Sequence, residues 1–280
     1  MKNILIATDL TVNCDRAMER AIKIATLFKA QLHILHIASP YRLSENRMEA
    51  PSARQDKEDL VRSVVLSYAG IDAIETKIYI IESSNAFAEI IDASLTCKAD
   101  LIVMGVHNKR GFKDLFVGTT IERVIRKGIK PVLMVSDKPQ DDYKSIVIGC
   151  DFSDSSAKAL EISIQIAPKS EAKIIHAFDF PNTSIGAKIE LHAGDVLMNK
   201  EHELLEKFVG ENKNILKKHS FSHEQIREEP FSALVNVVKK QKADLLAIGV
   251  NSRSGLITTK IGGVAEEILA TPPCDVLVIK

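Results

Sequence analysis

The sequence predicts an α/β protein of two tandem, doubly wound domains, each built on a five-stranded parallel sheet. Three observations predict it: an internal repeat running the length of the chain, short apolar runs alternating with segments of helical period, and runs too continuous for half-exposed strands. The 280 residues suit two domains of ordinary size.

The repeat is read directly from matched segments. ILIATDL (4–10) answers to IVIGCDF (146–152), setting Asp9 opposite Asp151. KADLIVMGV (98–106) answers to KADLLAIGV (242–250), and VLMV (132–135) to VLVI (276–279). Order is kept throughout, so the domain is duplicated. The polar, proline-bearing stretch SDKPQDDYK (136–144) follows the last apolar run of the first copy and reads as the linker, giving domains at 1–137 and 144–280.

Parallel strands need crossover connections, normally helices. In the first copy the apolar runs predict strands at 3–8, 32–37, 75–80, 101–105 and 132–136. The first helix shows its inward face through Met18, Ile22 and Ala25, matched by Leu160, Ile164 and Ala167; steps of four then three keep each trio on one side. Strands in the second copy are expected near 145–149, 172–178, 223–228, 245–249 and 275–279. LIVMGV and LLAIGV do not alternate, so both faces of the sheet should be covered. Right-handed crossovers then give a doubly wound sheet.

Composition narrows the function classes. Lys plus Arg equals Asp plus Glu at 37 each, so no net charge draws the chain to nucleic acid or an anionic membrane. The opening MKNILIATDL meets an aspartate too early for a signal peptide, and no apolar run reaches the roughly 20 residues of a spanning helix. A cytoplasmic protein is expected. Cys14, Cys97, Cys150 and Cys274 form no CxxC pair and read as reduced packing residues.

Chemistry in such a sheet belongs at the carboxyl ends of the strands, where strand order reverses. Asp9 ends the first strand, where a carboxylate could bind a ribose hydroxyl or a base amine, or else cap the following segment. After the fourth strand, Gly105 permits close approach of backbone to a ligand, and Gly118-Thr119-Thr120 opens a helix whose unpaired amides suit a phosphate. Lys109 and Arg110 could neutralise charge in that loop. Taken alone, Thr119 reads as an N-cap and Gly118 as a turn residue.

The spacing of these residues resembles the ATP-binding universal stress proteins, whose signature is Gly, two residues, Gly, nine residues, then Gly followed by Ser or Thr. The first copy has Gly105, Val106-His107, Asn108, nine residues, then Gly118-Thr119, with Asn108 replacing a glycine. Asn tolerates a left-handed backbone better than other non-glycine residues. The LHILHI second strand and the PVLMV last strand also look like the family. The resemblance implies that Asp9, Ile37 and Met104 hold adenosine and that Gly105, Asn108, Gly118, Thr119 and Thr120 surround the phosphates of ATP, carried with Mg2+.

The second copy reads Gly249, Val250-Asn251, Ser252, nine residues, Gly262-Gly263, a departure at two signature positions. Gly263 deletes a hydroxyl and Ser252 suits a positive φ poorly. By the same resemblance its nucleotide set would be Asp151, Ile248, Gly249, Ser252, Gly262 and Gly263, with weaker binding or none.

Other constellations carry less. His219 and His223 have the spacing of helical metal ligands, but a helix end is expected between them, in KKHSFSH. His192, Asp195 and His202 fall in a long, irregular connection and read as surface polar residues. His36 and His176 end equivalent strands and border the expected pocket. No G-x-S-x-G, Walker lysine or G-x-G-x-x-G occurs, which counts against a dedicated enzyme.

Three function classes follow. The first is an ATP-binding stress or regulatory protein with at most slow hydrolysis. The second is a nucleotide-independent stress protein presenting a pocket or surface to a small apolar ligand, a lipid, a metal or a protein. The third, an enzyme of the adenine-nucleotide α-hydrolase group whose fold this resembles, needs an S-G-G-x-D-S loop that neither 8–11 nor 150–153 supplies. The family also pairs through its last strands, so pairing of 132–136 with 275–279 inside the chain, and a further homodimer, are the partner expectations beside adenine nucleotide.

Overall fold

The structure, a computed structural model, describes residues 1–10, 12–38, 51–106, 119–136, 141–179, 187–250 and 262–280. The chain divides into two compact units, Met1–Asp141 and Asp142–Lys280.

In the first unit β1 (Asn3–Thr8) leads to α1 (Val12–Phe28), β2 (Gln31–Ala38), α2 (Pro51–Leu66), β3 (Thr76–Glu82), α3 (Ala86–Thr96), β4 (Leu101–Gly105), α4 (Thr120–Lys127) and β5 (Val132–Val135). The strands lie in the order β3-β2-β1-β4-β5, each pairing parallel. Chain order therefore reverses beside β1.

The second unit repeats the plan. It runs β6 (Ser145–Gly149), α5 (Asp154–Ile166), β7 (Glu171–Phe178), α6 (Ala187–Glu211), α7 (Lys213–Leu216), β8 (Ser220–Arg227), α8 (Pro230–Gln241), β9 (Leu245–Gly249), α9 (Gly263–Ala270) and β10 (Asp275–Ile279). The order is β8-β7-β6-β9-β10, again parallel, so the reversal falls beside β6.

Burial follows the apolar pattern of the sequence. Every residue of β4 is buried, as are Ile4 to Thr8 of β1, because helices cover both faces of these central strands. Met18, Ile22 and Ala25 of α1 are buried, as are Leu160, Ile164 and Ala167 along α5 and its cap. Each such Ile or Leu contributes roughly 1.5–3 kcal/mol on leaving water.

The duplicated KADL segments prove to be structural. Lys98 (φ 52°), just past the C-cap of α3, and Lys242 (φ 51°), the C-cap of α8, take the left-handed region. Ala99 and Ala243 are buried. The next aspartate turns back on the start of its sheet: Asp100 Oδ2 accepts from the backbone N–H groups of Lys2 and Asn3, and Asp244 Oδ2 from those of Lys144 (2.7 Å) and Ser145 (2.9 Å). This clamp sets the register of β4 against β1 and of β9 against β6.

Differences from the sequence reading concentrate at the sheet margins. The strand expected at 223–228 begins at Ser220, because an edge strand half in water carries polar residues such as Ser220 and Ser222 that break an apolar run. The connection expected to be irregular, holding His192, Asp195 and His202, is the helix α6. α7 ends at Leu216, ahead of both His219 and His223, and His223 lies inside β8. Cys97, Cys150 and Cys274 are free thiols; the Cys14 side chain lies outside what the structure describes. Among the described residues no helix is long and apolar enough to cross a membrane.

Candidate functional site

The reversals in strand order bring the carboxyl ends of β1 and β4, and of β6 and β9, side by side. In the first unit Asp9 directly follows β1 and is exposed. Ile37 is the penultimate residue of β2, and Met104, buried, pairs with Ala7 and Met134. Gly105 closes β4. Thr119 is the N-cap of α4, its Oγ1 accepting from the backbone N–H of Glu122 at 3.1 Å, and Thr120 is the first helical residue. The capping role anticipated for Thr119 is thus present. Asn108, Lys109, Arg110 and Gly118 lie outside the described residues, as does Ser252 in the second unit.

Two features around the aspartates recur in both halves. The residue after each aspartate has a left-handed backbone, Leu10 at φ 59° and Phe152 at φ 63°. This is strained for a bulky side chain and turns the chain sharply away from the sheet. Neither residue is Gly or Asn, so no sequence signal marks the turn. In addition, His36 Nδ1 lies 3.0 Å from the Thr8 carbonyl and His176 Nδ1 lies 2.8 Å from that of Cys150. A carbonyl only accepts, so Nδ1 carries the proton in each ring.

His176 is tied further. Its Nε2 is 3.1 Å from Glu201 Oε2 on α6, and its ring packs between Phe152 (centroids 4.2 Å apart) and Phe178 (5.6 Å). The helix α6 is held to the end of β7 through this histidine. Asp151 accepts at Oδ1 from the backbone N–H (3.0 Å) and hydroxyl of Ser153, which in turn caps α5 by accepting from Ser156 N–H at 3.1 Å.

A cavity of about 290 Å³ opens in the second unit at the ends of β6, β7 and β9, beneath the N-termini of α8 and α9. It gathers Asp151, Ile248, Gly249, Gly262 and Gly263 from the sequence-derived set. It also takes in Ile175, Ala177, Leu234 and Val264, which the sequence reading omitted; the correspondence of Ala177 with Ile37 could have flagged one of them.

Gly249 has a reason unlike the one read from sequence for its counterpart Gly105. A Cβ there would sit 2.8 Å from Ser156 N and 2.9 Å from Ser155 C, so the glycine lets α5 pack against β9. At Gly262 and Gly263 a Cβ would meet nothing within 4 Å. Gly262 caps α9 without a side-chain hydrogen bond.

The profile of the universal stress protein family matches residues 1–136 and again 142–280. The chain belongs to the universal stress protein family. Among relatives, a universal stress protein of Methanocaldococcus jannaschii is 32% identical over 144 residues, covering 49% of this chain and 82% of its own. A universal stress protein E homolog of Haemophilus influenzae is 22% identical over 304 residues, covering 100% of this chain and 97% of its own. Among solved structures, a universal stress protein of Archaeoglobus fulgidus shares the fold with TM-score 0.72 at 19% identity, covering 99% of this chain and 98% of that one. The tandem arrangement is thus shared with other universal stress proteins.

Proposed function

We propose that this universal stress protein binds ATP in its first unit and acts through occupancy of that site, in stress response or regulation, rather than as a dedicated enzyme. The observation that carries the proposal is the reversal of strand order beside β1, which collects Asp9, Met104, Gly105 and the start of α4 at one end of the sheet. Asp9, exposed at the end of β1, suits ribose hydroxyls. Met104 and Ile37 offer apolar surface to the base. The N-terminus of α4 suits phosphate, and Thr119, whose oxygen accepts from Glu122 N–H, keeps its hydroxyl hydrogen as a donor.

Mg2+ is expected to arrive on the phosphates and keep its waters. Calorimetry should find one ATP per chain, and Gly118→Val should abolish it while the variant still melts cooperatively. ATP binding with equal affinity to both units, or binding that survives Gly118→Val, would sink the one-site reading.

A further inference from the structure

Six lining positions of the second-unit cavity are trimmed or lose a hydroxyl relative to the first unit, against one, Pro230 for Ala86, that gains bulk. The matched segments pair Gly149 with Ala7, Cys150 with Thr8 and Ala177 with Ile37. At the head of the last helix they pair Gly263 with Thr119, Val264 with Thr120 and Ala265 with Ile121. Each second-unit residue is smaller than its partner, or has no hydroxyl, or both. All six second-unit residues line the cavity. Trimmed walls make room, and lost hydroxyls remove the donors a phosphate needs.

Charge points the same way. Among the described lining residues the sole charged side chain is Asp151, the counterpart of Asp9, and none is cationic. The remaining surface is Ile175, Leu234, Ile248, Val250 and smaller apolar groups, and its size lies at the lower end for small-molecule pockets.

We propose that this cavity is a binding site for an uncharged, mainly apolar small molecule about the size of a fused aromatic ring system, and that the second unit discriminates against nucleotides. Apolar surface drives entry, and the hydroxyls lost at Cys150, Gly263 and Val264 leave phosphorylated ligands without the donors that the first unit offers. The site shares no residue with the ATP site of the first unit. The chain would then sense two chemically different ligands, one in each half.

The test is fluorescence titration of the full chain with the uncharged dye N-phenyl-1-naphthylamine, with and without millimolar Mg-ATP. The wild type should bind one dye saturably, with an affinity that ATP leaves unchanged. Ala177→Ile, which restores the first-unit side chain, should weaken the dye about tenfold through steric filling. Val264→Thr, nearly equal in volume, should weaken it severalfold through its hydroxyl, and this covers the case in which Ala177→Ile fails to fold. Melting curves identify a folding failure. Absence of saturable dye binding, dye binding indifferent to the folded variants, or displacement of the dye by ATP would each overturn the proposal. Absence of ATP binding with normal dye behaviour overturns only the nucleotide reading of the first unit.

Discussion

The Nδ1 atom of His33 lies 3.1 Å from the hydroxyl oxygen of Tyr79, with the two rings stacked at 8° and 5.9 Å between centroids. His33 Nε2 faces Asn3 Oδ1 at 3.4 Å, so one neutral tautomer, protonated at Nε2, serves both partners. The second unit has an ion pair at the matching diagonal of its sheet, Lys173 Nζ to Glu224 Oε2 at 2.6 Å. Both pairs tie an edge strand to its neighbour. One does so with neutral groups, the other with charges, and their responses to pH and salt should differ.

Burial holds His33 below the usual histidine range, and Lys77 adds to the depression. A folded-state value below the unfolded one means that the unfolded chain binds the proton more readily, so stability is complete above about pH 6.5 and falls as pH drops from there toward the folded-state value. Thermal melts between pH 7.5 and 5 should show this loss, and His33→Gln should flatten it. An unchanged slope in the variant would contradict the assignment.

Replacing Tyr79 by Phe removes one partner of a buried ring and should cost about 1 kcal/mol, independent of salt. Glu224→Gln breaks a pair that is 22% exposed at Lys173 and 49% at Glu224, and should cost well under about 1 kcal/mol, fading by 0.5 M NaCl. Urea denaturation at two salt concentrations separates the two behaviours.

Two glycines of the second unit should answer oppositely to alanine. At Gly249 the new methyl meets the backbone of α5 at 2.8 and 2.9 Å, and the loss should be roughly 2–3 kcal/mol. At Gly263, the first residue of α9, the methyl enters open space and the unfolded chain loses freedom, for a gain of about 0.5 kcal/mol. Chemical denaturation of Gly249→Ala and Gly263→Ala reads both signs.

Thr119→Ala removes the cap of α4 and should destabilise the first unit by about 1 kcal/mol. It should also weaken ATP binding, whereas Thr119→Ser should restore both. Measured stability and affinity that both stay at the wild-type level would remove Thr119 from both roles.

Glu229 caps α8, its two oxygens accepting from Phe231 and Ser232 N–H at 2.8 Å each. Burial pushes its carboxyl up, but the N–H groups of Ser232 and Phe231 outweigh that and hold it below the ordinary range. A depressed carboxylate stabilises the fold above its unfolded value, about pH 4.5, and this contribution disappears as pH falls through the folded value. Glu229→Gln should therefore be less stable than the wild type at pH 7, with the gap narrowing in acid. A gap constant down to pH 3 would contradict the role.

The central strands were legible because burial on both faces demands unbroken apolar runs, as in LIVMG of β4 and LLAIG of β9. Legibility failed at the margins. β8 carries Ser220, Ser222 and Gln225 because one side meets water, and its start was misplaced by three residues. The first part of α6, holding His192, Asp195 and His202, reads as irregular connection ahead of a helix because its polar and apolar residues do not sort into one clean face.

By itself the sequence determined the duplication, the parallel strands, the buried helix faces and the positions of Asp9 and Asp151, since these follow from local periodicity and repetition. Tertiary structure alone decided why Gly249 is glycine, why KADL is repeated, how Leu10 and Phe152 turn, and that the second unit encloses an apolar cavity. Those depend on how closely elements distant in sequence approach one another. Local pattern records which face of an element is apolar, and only packing sets the distance to what lies opposite.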